Sequence, residues 1–128
     1  MGILDQIGGQ SSLTQTRPSK DRIAGYGKRS DGTPKGAGYF GEIPNPGNPG
    51  VYSTELSVGV NIGGKDMNIP MLVPTLSRKD IRDVLNAKNA DEIPESVVQK
   101  AVAHAKKRMS AGKSPYADAD EFYPLPKE

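Results

Sequence analysis

The residue types that carry most protein chemistry are sparse in this chain. It has one histidine, His104, and no cysteine. A zinc site needs several His or Cys ligands at set spacing, and a thiolate nucleophile or a disulfide needs cysteine. The sequence therefore offers no metal site and no thiol chemistry. Serines are plentiful, but there is no G-x-S-x-G elbow, and a lone histidine with no evident orienting partner does not make a triad. His104 lies between Ala103 and Ala105 beside an apolar stripe, the setting of a half-exposed helix residue.

Paired carboxylates occur at Asp91-Glu92 and at Asp118, Asp120 and Glu121. Both groups fall in segments read as loops, where solvation leaves a carboxyl near its ordinary pKa and gives no general acid. Two stretches place lysine after glycine, Gly25-Tyr26-Gly27-Lys28 and Gly63-Gly64-Lys65. Neither matches a phosphate-binding loop or runs from a strand into a helix, so no nucleotide cofactor is expected. The residues supply no catalytic, cofactor or metal assignment. Basic charge is the remaining signal: Lys100, Lys106, Lys107, Arg108 and Lys113 follow one another with no acid among them. A patch of Lys106, Lys107, Arg108 and Lys113 fits phosphates or an acidic protein surface. It fits equally a helix end neutralised by the nearby acidic tail.

The elements that must position these residues are few. Leu56, Val58, Val60 and Ile62 alternate with polar residues and glycine, the period of a strand with one buried face. Gly63-Gly64 supplies the positive φ of a tight turn, and Met67, Ile69, Met71 and Val73 alternate after it. Pro70 cannot donate to a ladder, so its position should face an unpaired edge. Ser77 followed by Asp80 reads as a helix start of the capping-box kind, with Leu76 and Ile81 as a hydrophobic staple. Pro94 opens a second helix whose stripe is Val98, Ala101, Val102, Ala105 and Met109, closed by Gly112. The expected fold is α+β: a small β-hairpin over residues 53–73 covered by helices over 77–87 and 94–111.

The remainder is extended. Residues 1–50 hold no sustained period beyond a short helical turn expected within 1–13 (Ile3, Leu4, Ile7), and Gly and Pro crowd there. The expected division is an arm at 1–50, a ββαα module at 51–112 and a tail at 113–128. A structureless stretch of such length is either a disordered tail or an arm ordered by a partner. Its anchors would be Tyr39, Phe40, Ile43 and Pro44, with Phe122, Tyr123 and Leu125 in the tail. Each cluster reads equally as residues folded back on the chain's own core. The aliphatic share is low, with 34% apolar residues, no Trp and two Phe, so the core must be small. No apolar run approaches the length of a membrane span, and the start lacks a signal-peptide core. The net charge of +2 argues neither for nor against nucleic acid.

Three segments resemble a small protein family of tailed bacteriophages. They are RSDGTPKGAGYFG at 29–41, IPMLVPTL at 69–76 and AVAHAKKRMSAGKSPYAD at 101–118. The family pattern runs R-x-D-G-T-P-K-G-x-G-[YF]-[FL]-G, then I-P-x-L-V-P-T-L, then A-x-x-H-A-x-x-R-x-x-x-G-K-S-P-[FY]-A-D. The first 28 residues lie outside it. Members occur as short phage proteins and as modules of larger virion-associated chains, and the resemblance brings no catalytic residue. It implies a virion component made in the host bacterial cytoplasm. The expectation is a non-enzymatic structural protein that binds capsid, portal or tail subunits in multiple symmetric copies, with no membrane partner. A second reading is a nucleic-acid-associated accessory protein using the basic helix, and a third is an accessory to a cell-wall hydrolase.

Overall fold

The structure, a computed structural model, describes residues 15–16, 26–29, 32–45 and 50–127. The short helical turn expected within 1–13 lies outside these residues. The class is α+β, built from two small antiparallel hairpin sheets and two helices. In chain order these are β1 (Ile43–Pro44), β2 (Tyr52–Ser53), β3 (Ser57–Ile62), β4 (Lys65–Pro70), α1 (Arg78–Asn86) and α2 (Glu95–Ser110).

β3 and β4 form the expected hairpin, paired from Ser57↔Pro70 to Ile62↔Lys65. Gly63 and Gly64 both take positive φ, 61° and 84°, as a two-residue primed turn demands. With a two-residue turn, Ile62 and Lys65 are a hydrogen-bonded pair, and the alternation makes Ser57–Pro70 a non-bonded one. The missing N–H of Pro70 therefore faces the outer edge, where it costs no ladder bond. Alternation fails beyond Pro70. Met71, Leu72 and Val73 are all fully buried because the chain leaves the ladder and sinks into the core. Leu56 precedes the hairpin at φ 39°, uncommon for a residue with a Cβ. It turns the chain from the buried Glu55 into β3, and its carbonyl accepts from the Met71 amide at 2.9 Å.

Both helices start where local chemistry places them. The Ser77 hydroxyl accepts from the Asp80 amide, and the Asp80 carboxylate accepts from the Ser77 amide, closing a capping box around α1. Ile81, Val84 and Leu85 are its buried face. Pro94 caps α2 with no side-chain hydrogen bond. The buried residues of α2 are Val97, Ala101, Ala105 and Arg108, while Val98, Val102 and Met109 are half-buried at the rim of the core. The inward face is thus turned from the expected stripe, towards Val97 and Arg108.

The core extends beyond residues 51–112. Tyr39, Phe40 and Ile43 are at most 1% exposed and pack with Ile69, Val84, Val97 and Ala101. The described part of the arm at 32–45 therefore belongs to the folded body, and β1 pairs with β2 in a sheet the periodicity did not announce. The tail is extended as expected, without helix or strand from 111 to 127. It is nevertheless pinned along its length. The Tyr123 amide donates to the Tyr39 carbonyl at 2.8 Å, the Leu125 amide to Gln15 Oε1 at 2.8 Å, and Arg78 Nε to the Pro126 carbonyl at 2.8 Å.

Candidate functional site

Gly38-Tyr39-Phe40-Gly41 is the turn on which arm, helix and tail meet. Both glycines have positive φ, 73° at Gly38 and 72° at Gly41. A Cβ on Gly38 would lie 2.2 Å from the Thr54 carbonyl oxygen, and one on Gly41 2.3 Å from that of Thr16. Only glycine admits both the conformation and the approach. The turn delivers the Tyr39 ring beneath α2. His104 meets that ring edge-on, with centroids 5.0 Å apart and planes at 81°, and Tyr123 lies tilted at 6.1 Å. The Arg108 guanidinium stands 5.5 Å from the ring centroid. The Tyr39 hydroxyl donates to the Pro115 carbonyl at 2.6 Å. Burial pushes this phenol far above its ordinary value, so it stays a neutral donor.

Arg108 collects the start of the tail. Its Nε donates to the Ser114 carbonyl at 2.6 Å and Nη2 to the Tyr116 carbonyl at 2.9 Å. Nη1 pairs with Glu121 at 3.0 Å, and Asp118 lies 3.6 Å from Nη2. Burial alone would raise the Glu121 carboxyl. The Asp118 amide, the Tyr123 hydroxyl and Arg108 outweigh it and hold the group below its ordinary value.

A second junction lies at Glu55, a carboxylate only 2% exposed. Arg29 grips it through Nε at 2.9 Å and Nη2 at 2.5 Å, and the Gly36 amide donates to it at 2.7 Å. The Arg29 guanidinium also lies 4.1 Å above the Tyr116 ring, whose hydroxyl reaches Ser57 and the Asn68 carbonyl. Segment 29–41 is therefore joined to 114–118 twice, through Tyr39–Pro115 and Arg29–Tyr116. Segment 69–76 supplies Ile69, Met71, Leu72, Val73 and Leu76 to the core under both joints. Residues of segments 29–41, 69–76 and 101–118 are thus brought together as a clasp holding the fold.

No family model, no curated protein and no solved structure matches this chain.

The expected anchors separate into two groups. Tyr39, Phe40 and Ile43 are buried in the chain's own core and present no surface to a partner in this conformation. Pro44 is half-buried in β1, and Leu125 is half-buried against the core. Phe122 and Tyr123 are exposed, at 37% and 39%. Sequence reasoning missed Val51 and Tyr52, which at 43% and 52% are the other exposed large apolar residues described. Their signal was a bulky pair directly after the Pro49-Gly50 turn. The expected basic patch loses a member, because Arg108 is buried and tied to the tail. Lys106 and Lys107 are exposed, and Lys113 leans towards Asp118 at 3.9 Å. Lys100 pairs with Asp80 at 2.6 Å.

A groove of about 840 Å³ runs between the hairpin and the end of α2, lined by Arg29, Thr33, Met67, Asn68, Met109 and Tyr116 among others. Among the described residues no group of three or more His, Asp or Glu side chains could hold a metal ion, and no helix is long and apolar enough to cross a membrane.

Proposed function

We propose that this protein is a non-enzymatic structural component of a tailed-phage particle that binds neighbouring virion subunits through its extended segments. The phage setting rests on the resemblance of segments 29–41, 69–76 and 101–118 to the family named above. The observation that supports the binding role is where the surface apolar groups lie. Val51, Tyr52, Phe122 and Tyr123 remain exposed on extended segments, while the ionisable side chains of the two junctions are engaged in internal contacts. Exposed aromatics on segments pinned at both sides bury large area on a partner at little entropic cost. The burial of Arg108 weighs against the nucleic-acid reading, since Lys106 and Lys107 alone make a small footprint.

Quantitative mass spectrometry of purified particles tests the proposal. The expected result is a fixed copy number set by shell or tail symmetry, lost in a Tyr52→Ser/Phe122→Ser variant that still folds. Absence of the wild-type protein from particles, or incorporation unchanged by the double substitution, refutes it.

A further inference from the structure

One buried polar side-chain atom has no hydrogen-bond partner among the described residues: Nε2 of His104. Buried polar atoms are nearly always paired, and an exception asks for a reason. His104 sits one helical turn before Arg108 on α2, its ring edge against Tyr39 at 5.0 Å. The charged groups around it come from two elements. Lys107 and Arg108 share its helix, while Glu121 faces it from the tail. Asp118 and Tyr123, also in the tail, lie with Glu121 and Arg108 around the neighbouring Tyr39, whose hydroxyl is held by the Pro115 carbonyl. The one carboxylate facing the imidazole is already paired with Arg108. A neutral imidazole suits this setting, since its edge contact with Tyr39 needs no counter-ion. An imidazolium does not, because it would hold an N–H without an acceptor beside a guanidinium.

We infer that His104 is a proton-operated latch: protonation expels its ring from the edge of Tyr39 and loosens the tail where Tyr123 packs on Tyr39. The route from ring to tail is short. The tail is held at Tyr39 by the bond from the Tyr123 amide to the Tyr39 carbonyl and by the Tyr123 ring, so displacing Tyr39 loosens both. Burial first, then Arg108 and Lys107, push the His104 pKa below its ordinary 6.5, and Glu121 opposes them only in part. The sign follows. The released state binds the proton more readily, so the latch is fully closed above the ordinary value and weakens as pH falls below it. One proton limits the effect to about a tenfold change in the closed-to-open ratio per pH unit.

The test uses nuclear magnetic resonance on the full chain, where the single histidine gives an unambiguous ring signal. Amide exchange protection of Tyr123 and Leu125, corrected for intrinsic rates, is followed from pH 7 to about 5, across the histidine range. The expected result is a fall of several-fold that tracks the His104 titration, with the Ile81 amide of α1 unaffected. In His104→Phe, which keeps the edge contact, the protection should be flat. Protection that is flat in the wild type, a His104 titration at or above the ordinary value, or an equal slope in His104→Phe overturns the inference. Should that variant not fold, agreement or disagreement between the wild-type ring titration and tail protection decides the matter.

Discussion

Replacing Gly38 by alanine should cost far more than the same change at Gly50, and the difference can be worked from geometry. Both glycines have positive φ, 73° and 86°. The left-handed conformation alone costs a residue with a Cβ roughly 1–2 kcal/mol. Restricting the unfolded chain returns roughly 0.4–1 kcal/mol, so Gly50→Ala should lose between about 0 and 1.6 kcal/mol. Nothing lies within 4 Å of the Cβ position at Gly50. At Gly38 the added methyl would sit 2.2 Å from the Thr54 carbonyl oxygen and 2.7 Å from its carbon. Relief requires the backbone at Thr54 to move by about 1 Å, next to Glu55 and its bonds to Arg29 and Gly36. Overpacking of this kind costs about 1–3 kcal/mol. The sum for Gly38→Ala is about 1–5 kcal/mol, at its upper end a large share of a small domain's roughly 5–15 kcal/mol. Urea unfolding followed by far-UV circular dichroism measures both variants, and complete loss of the transition in Gly38→Ala agrees with the estimate. Equal midpoints for the two variants would refute the close approach of the Tyr39 turn to Thr54.

Other substitutions probe the clasp and the first helix. Arg108→Met leaves Glu121 and the Ser114 and Tyr116 carbonyls without their donor, and should cost about 3 kcal/mol by urea unfolding. Adding Glu121→Gln should recover part of that loss, and additive effects in the double variant would show that the pair is not coupled. The Asp80 carboxyl is held below its ordinary value by Lys100, against burial, with help from Ser77. Its folded-state pKa is depressed, so its contribution is present above the unfolded carboxylate value and is lost as pH falls through the folded one. In Asp80→Asn the acid decline of the urea midpoint should be shallower than in the wild type, and identical declines would remove this assignment.

Signals that act over a few residues were legible in the sequence. Ser77 with Asp80, Pro94 and Gly63-Gly64 fixed both helix starts and the hairpin turn within a residue or two, because capping and turn chemistry are local. The clasp was not legible as such. Tyr39, Phe40 and Ile43 stand among glycines and prolines with no period, and only contacts with α2 and the tail, more than sixty residues on, place them inside. Arg108 misled for a related reason. A cation in the last turn of a helix serves the helix dipole whether it is solvated or buried, and its burial depends on a tail that supplies carbonyls and Glu121. The inward face of α2 missed Val97 because Val97 and Val98 are adjacent, and a stripe drawn through either keeps helical spacing.

The pinning of the tail to Gln15 and Tyr39 bears on how the fold assembles. Gln15 bonds the Tyr123 carbonyl and the Leu125 amide across sequence separations of 108 and 110 residues. The Tyr39 ring is closed over by Pro115 and Tyr123. Such pairings carry a large loop-closure entropy and slow the search for the native state. A nascent chain cannot complete them until residues 115–125 have emerged, so the Tyr39 turn lacks its tail cover until then. A chain stalled before residue 115 lacks the Pro115 and Tyr123 contacts over Tyr39, which leaves that side of the turn open to chaperones and proteases.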